Sequence, residues 1–130
     1  MESLNFLDKY PVRTLEIPKG DCLYGSVDEI VAFLREKIDV HPIATYIGLF
    51  DHYAHTRSLA DGEIAPEIRG VKNLLFCFGQ KIPSPVMAAL RPRSLAVCET
   101  DAAFVLSFLE APVPAMNETM TGWAEALRKA

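Results

Sequence analysis

The sequence predicts one α+β domain over residues 1–130, with a mainly antiparallel sheet of about five strands and helices packed on it. One long segment repeats apolar residues at helical spacing, and several shorter segments alternate or run apolar in the manner of strands. The last two of these short segments are adjacent, which is typical of a hairpin. Half of the 130 residues are hydrophobic and the formal net charge is only −4, so the composition suits a buried core rather than disorder. The predicted order is one strand, one helix, four strands and one helix.

The first strand and the first helix follow from alternation and from capping residues. Val12–Ile17 alternates polar and apolar side chains and is followed by the turn residues Pro18–Asp21. Ser26 and Glu29 then form a capping box at the start of a helix, which should end before His41-Pro42 because the residue preceding proline avoids helical geometry. The apolar positions at helical spacing are Val27, Ile30, Val31, Leu34 and Ile38.

The middle of the chain is predicted to hold two strands separated by a loop. Ala44–His52 is rich in Thr, Tyr, Ile and Phe, which favours a strand. Arg57–Gly70 contains Asp61-Gly62 and a proline, and this composition predicts a long surface loop. Val71–Phe78 is the third strand, ended by Gly79.

The C-terminal part is predicted to contain a short helix, a hairpin and a final helix. Ser84-Pro85 is typical of a helix start, and the short helix should run through Ala89. Leu95–Thr100 and Phe104–Glu110 are strands joined by a tight link at Asp101. The final amphipathic helix should end in Arg128 and Lys129, which suit its negative pole, and it carries Met116, Met120, Trp123 and Leu127 at helical spacing.

Two of the predicted strands carry apolar side chains on both faces. In one, Leu74, Phe76 and Phe78 oppose Val71, Leu75 and Cys77; in the other, Phe104, Leu106 and Phe108 oppose Val105 and Leu109. If the helices cover one face, the other face needs a partner, so the sequence predicts a homodimer. The alternative is a monomer in which the two long helices cover opposite faces.

Three stretches of the sequence resemble a known family in their order and spacing. They are Phe50-Asp51-His52, then Asn73–Gly79 with Pro85-Val86-Met87, and finally Leu95–Glu99. Together they resemble the three-hundred-and-second domain-of-unknown-function family, which comprises small bacterial α+β proteins, and the likeness extends over roughly 27–112. This resemblance implies the fold and a tendency to dimerise, and it implies no reaction. The sequence departs from the family pattern at His55 and at Arg91-Pro92-Arg93, so any role of these residues is particular to this protein or its close relatives.

The strand end at Asp51-His52 is the first candidate site. Imidazole titrates near neutrality and a carboxylate can orient it, so acid–base chemistry by Asp51 and His52, with Glu99 as a further candidate, is one interpretation. Cys77 could act as a nucleophile there, but apolar neighbours suppress a thiolate, which favours a core role. The alternative for Asp51 and His52 is structural, with their side chains satisfying backbone groups at the strand end.

Metal and anion binding are further interpretations of the polar residues. His52 and His55 could share a metal only if the chain bends after His52, and only His41 could add a third imidazole, so no metal or cofactor is expected. Arg91 and Arg93 flank a proline and could hold a carboxylate, sulfate or phosphate. The alternative for these arginines is an exposed corner or a salt bridge across the dimer.

Composition excludes several classes of protein. The N-terminus lacks a basic segment followed by an apolar stretch, and no apolar run reaches the roughly 18 residues of a membrane helix, so a cytoplasmic protein is expected. Three widely spaced cysteines without a C-x-x-C pair favour free thiols over disulfides or zinc. A pI near 5.3 gives no net attraction for nucleic acids or anionic membranes, so neither is an expected partner.

These observations predict a dimeric accessory protein that binds a small ligand, an anion or a partner protein in a cleft near the Asp51-His52 strand end. The predicted lining residues are His52, His55, Phe78, Gly79, Met87, Arg91 and Arg93. The alternatives are an enzyme that uses Asp51 and His52, and a metal-binding protein that uses His52 and His55.

Overall fold

A computed structural model describes all 130 residues and confirms the α+β class. The strands and helices, in chain order, are β1 (Glu2–Phe6), β2 (Tyr10–Pro18), α1 (Val27–Val40), β3 (Thr45–Asp51), α2 (His52–Ser58), β4 (Ile68–Cys77), β5 (Arg93–Thr100), β6 (Ala103–Leu109) and α3 (Pro114–Glu125). Two short 3₁₀ turns lie at Lys19–Asp21 and Val86–Leu90. None of the helices has the length and apolar character needed to cross a membrane.

All neighbouring strands of the single sheet are antiparallel, in the spatial order β1-β2-β6-β5-β4-β3. β5 and β6 form the predicted hairpin, with Glu99 opposite Phe104. α1 connects β2 to β3 and therefore passes over the sheet to its opposite edge. The four strands β3 to β6 follow one another in the chain and also lie side by side in the sheet, in that order.

The predicted number of strands and the predicted order of elements were wrong in two places. The sheet has six strands because β1 pairs with β2, and a third helix, α2, follows β3 directly. All five residues of β1 are exposed and α2 has no buried residue, so neither segment carries the apolar pattern that marks an element. As a result β3 ends at Asp51 rather than His52, and the predicted loop at 57–70 begins inside α2 and ends inside β4.

Helix α1 begins and ends where its sequence predicts. The Ser26 hydroxyl accepts a hydrogen bond from the Glu29 amide at 3.2 Å and donates one to the Glu29 carboxylate at 3.1 Å. The five apolar residues predicted for its inner face are all buried. At the other end, His41 accepts hydrogen bonds through Nδ1 from the amides of Ile43 and Ala44, each at 3.2 Å, and so shapes the turn into β3.

The hydrophobic core lies on one face of the sheet, where α1 and α3 both pack. Trp123 of α3 stacks on Phe78 with ring centroids 5.6 Å apart and meets His41 edge-on at 5.9 Å. Because both long helices share this face, the alternative in which they cover opposite faces is wrong. The buried strand residues beneath them are Leu15, Ile17, Leu74, Phe76, Leu95, Val97, Phe104, Leu106 and Phe108.

Helix α3 is shorter than its sequence predicts. It ends at Glu125, and Leu127 is buried in the turn that follows. Arg128 and Lys129 lie beyond the helix, where Arg128 bridges to Cys22 and the Lys129 amide donates to the Asp21 carbonyl at 2.9 Å. These last residues are therefore fixed by backbone pairing with the segment that follows β2.

Candidate functional site

The residues predicted to share one cleft lie at opposite ends of the sheet. In the β3–β4 pair, Asp51 is opposite Lys72 and Thr45 is opposite Cys77. Phe78 is six residues beyond Lys72, which at ~3.3 Å per strand residue places it about 20 Å from Asp51 along the sheet. The structure does not bring the Asp51-His52 strand end together with Phe78, Gly79 and Met87.

At the first end, Asp51 caps helix α2. Its Oδ1 accepts a hydrogen bond from the Ala54 amide at 2.9 Å, which is the interaction of an N-cap residue. His52 stacks on Phe50 with ring centroids 5.1 Å apart, and His55 approaches the same ring at 5.4 Å. The Asp51 carboxylate therefore has the structural role that the sequence left open as an alternative.

The three residues considered for acid–base chemistry do not meet. Glu99 accepts a hydrogen bond from Lys19 Nζ at 2.8 Å, and together with Asp51 it borders a shallow hollow next to Lys72. His52 lies instead against a separate cleft on the other side of the sheet, with Thr56. No pair of these three side chains is joined by a hydrogen bond.

The two histidines considered as metal ligands do share a short helix. The chain bends after Asp51, as a shared site would require, and His52 and His55 both lie against Phe50. The structure contains no group of three or more His, Cys, Asp or Glu side chains arranged to hold a metal ion. Zinc or copper sites need three or four converging ligands, and only these two imidazoles approach Phe50.

All three cysteines are free thiols. Cys22 is buried, whereas Cys77 is half-buried on the sheet face away from the long helices and so is not part of the main core. Its Sγ accepts a hydrogen bond from the Gly79 amide at 3.2 Å. Cys98 is half-buried on the same face, and burial is the main cause that raises the pKa of its thiol.

At the second end of the sheet lies a cavity of about 200 Å³. Five of the seven residues predicted to bind a ligand line it, namely Phe78, Gly79, Met87, Arg91 and Arg93. The remaining wall comes mainly from Ile43 before β3, from residues 111–113 after β6, and from Met116 of α3. This cavity is where the structure gathers the predicted binding residues.

Two aromatic contacts and one glycine position the wall of the cavity at Phe78 and Gly79. Phe78 is buried, with its ring edge-on to Phe76 at 5.5 Å and stacked on Trp123. The guanidinium of Arg91 lies over Gly79, where an added Cβ would stand 2.9 Å from Arg91 Nη1. Arg91 also donates from Nη1 to the Lys81 carbonyl at 2.5 Å, so glycine allows this side chain to lie along the wall.

Arg93 occupies a position that its strand would otherwise fill with an apolar residue. It begins the row that continues with Leu95 and Val97, both buried on the helix-covered face. Its Nη1 donates to the Leu90 carbonyl at 3.1 Å, its Nη2 donates to the Leu109 carbonyl, and its buried Nε has no partner. Burial lowers the pKa of Arg93.

No carboxylate compensates the charge of Arg91 or Arg93. Neither guanidinium takes part in any of the ion pairs of the chain. Arg13 shows the contrast, because it pairs with Glu110 at 3.1 Å and with Glu118 at 2.9 Å. The cavity therefore has apolar walls and two guanidinium groups without a counter-charge.

A family model described as "Family of unknown function (DUF6858)" matches residues 1–129. The chain belongs to this family. The match confirms that the protein falls in an uncharacterised domain family, but it does not confirm the three-hundred-and-second family that the motifs resemble. Comparison with curated proteins and with solved structures finds no match. Membership assigns no reaction or ligand, so the site must be interpreted from its own geometry.

Sequence reasoning missed several residues that shape the cavity of this family member. Asn117 is the one buried polar residue and holds the 111–113 wall, but in the sequence it is one of several polar residues within an amphipathic helix. Ile43 also lines the cavity. In the sequence it only follows His41-Pro42, a pair that predicts the end of a helix and says nothing about a binding site. Arg93 was predicted to line the site, and its place at the start of β5, before the buried Leu95 and Val97 on the same face, is a further signal because a charged residue there departs from the inward-facing apolar pattern.

Proposed function

We propose that this protein is a non-enzymatic, dimeric binding domain that holds a small ligand in the cavity between Phe78, Met87, Arg93 and Met116. The observation that carries the proposal is the lining of the cavity, where apolar side chains stand beside the guanidinium groups of Arg91 and Arg93, neither of which has a counter-charge. Binding pockets typically combine apolar walls with a few polar groups that fix the orientation of the ligand. The guanidinium of Arg93 is partly desolvated and has no counter-charge, which a bound anion can supply.

The lining of the cavity favours binding over catalysis. The twelve lining residues include no His, Cys, Asp, Glu, Lys, Ser, Thr or Tyr. Arginine stays protonated in proteins, so neither Arg91 nor Arg93 can serve as a general base. General acid–base and nucleophilic mechanisms need groups that this lining does not offer.

The binding function can be tested with a thermal-shift screen of apolar anions, amines and neutral compounds on the whole chain. Met87→Trp should fill the cavity, because Met87 lines it and is half-buried. Val86→Trp is the matched control, since the neighbouring Val86 is 78% exposed and lies outside the lining. Ligands should raise the melting temperature of the wild type and of Val86→Trp but not of Met87→Trp. A screen without any stabilising compound, or equal stabilisation of both variants, would contradict the proposal.

Dimerisation is proposed through the sheet face that faces away from α1 and α3. The side chains in the middle of this face are half-exposed and mostly apolar or small, including Val12, Ala96, Val105 and Ser107. Asn73 also lies there, and its buried Oδ1 has no donor. An antiparallel sheet with its second face in water normally alternates apolar and polar residues, so this composition supports burial against a second copy.

The hairpin of β1 and β2 extends this apolar surface. Leu4 and Phe6, which are 45% and 56% exposed, lie beside Val12 and Tyr10 on the same face. At the tip, Leu7 adopts φ 54°, a left-handed conformation that Asn or Gly would adopt more easily, and it is 67% exposed. A strained and exposed leucine supports the view that this hairpin contributes to an interface.

The dimer can be tested by light scattering coupled to size exclusion. The wild type should elute with twice the 14.4 kDa mass of the chain. Leu4→Glu should give the monomer mass, because it places a charge in the apolar face. Ser3→Glu places the same charge on the opposite face of β1 and should leave the dimer intact. A wild-type mass of one chain would contradict this part of the proposal.

The cytoplasm is the compartment that we infer for this function. Three free thiols, at Cys22, Cys77 and Cys98, are typical of a reducing environment. A wild-type protein that retains full stability in millimolar reductant is the expected result, and a loss of stability on reduction would contradict it.

A further inference from the structure

Arg93 has hydrogen-bonding capacity that the protein does not use. A guanidinium carries five N–H donors in a planar fork, and two of the donors of Arg93 reach the carbonyls of Leu90 and Leu109. The buried Nε–H is unpaired. The two backbone carbonyls hold the side chain in place without neutralising it, and each terminal nitrogen keeps a second N–H that these hydrogen bonds do not use.

We propose that the cavity binds a short apolar carboxylate, with its head on Arg93 and its hydrocarbon body against Phe78, Met87 and Met116. This inference rests on the binding function proposed above and names the class of ligand. The head would accept from the terminal N–H groups of Arg93 that the carbonyls leave free, and the body would lie in the apolar space that the three side chains line.

A carboxylate fits this arrangement better than other anions. Its two oxygens match the planar fork of a guanidinium, which gives a bidentate, charge-assisted pair. A phosphate dianion carries more charge into a mostly apolar cavity, where burying charge is costly. Seven of the twelve lining residues are hydrophobic, so only a limited part of the ligand can be polar.

The volume of the cavity indicates how much of a ligand it can bury. A volume of about 200 Å³ corresponds to roughly six or seven water molecules at ~30 Å³ each. That space suits a body of about six carbon atoms rather than a long lipid chain. Hexanoate and benzoate are therefore suitable probes, and 1-hexanol is the neutral match of hexanoate.

Arg91 adds a second positive charge at the same cavity. Its guanidinium lies over Gly79 and is held by the Lys81 carbonyl. A carboxylate on Arg93 would lie in the field of both guanidinium groups, which favours an anion over a neutral ligand. The same two charges disfavour amines, so the cavity should discriminate by charge as well as by shape.

Isothermal titration of the whole chain with hexanoate and with 1-hexanol tests the ligand class. Hexanoate should bind the wild type about tenfold to a hundredfold more tightly than the alcohol, the effect expected for a charge-assisted hydrogen bond. Arg93→Gln should remove this preference, and Arg93→Lys should restore only part of it because lysine lacks the planar fork. Arg57→Gln is the control, since Arg57 is exposed on α2 at the other end of the sheet.

The outcomes separate the ligand class from the binding function. Equal affinity for hexanoate and 1-hexanol, with both lost in Met87→Trp, would overturn the carboxylate assignment and leave the binding function standing. Equal affinity for acetate and hexanoate would also overturn it, because the apolar body would then contribute nothing. Absence of binding by hexanoate and 1-hexanol, together with a thermal-shift screen in which no amine or other compound stabilises the chain, would overturn both the carboxylate assignment and the binding function. The affinities for hexanoate and 1-hexanol are compared on the wild type, so this comparison tests the carboxylate assignment even if Arg93→Gln fails to fold.

Discussion

The side chain of Asn117 forms hydrogen bonds with both backbone polar groups of Ala111, as a neighbouring strand would. Its Oδ1 accepts from the Ala111 amide at 2.7 Å, and its Nδ2 donates to the Ala111 carbonyl at 3.0 Å. Asn117 lies in α3 and is only 5% exposed, and both hydrogen bonds are partly shielded from water. The pair closes the connection between β6 and α3 and thereby fixes one wall of the cavity.

Replacing Asn117 by alanine should destabilise the fold strongly. Two backbone groups of Ala111 would lose their partners, and each unsatisfied buried group costs roughly 1–3 kcal/mol. We expect the free energy of unfolding, measured by urea titration, to fall by about 2–4 kcal/mol in Asn117→Ala. Thr119→Ala is the control, because Thr119 donates only to the Ala115 carbonyl on the exposed side of α3, and its loss should stay below about 0.5 kcal/mol. Similar losses in the two variants would show that the Asn117–Ala111 pair contributes little.

Substitutions at Asp51 should reveal a helix cap rather than a catalytic carboxylate. Asp51→Ala removes the acceptor for the Ala54 amide and should cost about 0.5–2 kcal/mol of local stability. Asn caps helices as well as Asp does, so Asp51→Asn should retain nearly all of that stability. Hydrogen exchange of the Ala54 amide, followed by NMR, measures the effect directly. Equal acceleration of exchange in both variants would contradict the capping role.

The elements that could be predicted are those that bury one side. α1 has a cap at Ser26 and five buried residues at helical spacing, and β4 and β6 alternate buried with half-exposed residues. β1 and α2 bury nothing, so their sequences contain no periodic apolar signal. α2 forms because Asp51 caps it at the end of β3, which is a local hydrogen-bonding effect rather than a hydrophobic pattern.

Part of the candidate site could be predicted from the sequence, but its division into two could not. Phe78, Met87 and Arg93 were each recognised, and they do line one cavity. Asp51 was grouped with them because the Asp51-His52 segment and the Phe78-Gly79 segment each end a predicted strand. In antiparallel neighbours, however, the end of one strand lies beside the start of the next, and this places Asp51 next to Lys72 and far from Phe78.

Two glycines should respond to alanine in opposite directions. At Gly62 an added Cβ would stand 1.9 Å from the Thr56 carbonyl oxygen, so the backbone would have to move. We expect Gly62→Ala to lower the free energy of unfolding by about 1–3 kcal/mol, as overpacking does. Gly122 lies in α3 with no atom within 4 Å of an added Cβ, so Gly122→Ala should raise the free energy of unfolding by up to about 1 kcal/mol. Urea titration of both variants measures the sign, and a loss of stability in Gly122→Ala would contradict the helix argument.

The thiol of Cys98 should make the fold less stable at high pH. Burial raises the pKa of Cys98, with smaller contributions from the carboxylates of Glu67 and Glu99. Above the ordinary pKa of a thiol, the unfolded chain releases this proton while the folded chain keeps it, so stability falls as the pH rises through that range.

Cys98→Ala should remove this part of the pH dependence. The urea midpoint of the wild type should therefore fall further between pH 7 and pH 10 than that of the variant. Ser107→Ala is the matched control, since Ser107 is half-exposed on the same sheet face and does not titrate in this range. If the wild type and Cys98→Ala lose the same stability over this interval, the Cys98 thiol titrates alike in the folded and unfolded chains, and its burial has no energetic consequence.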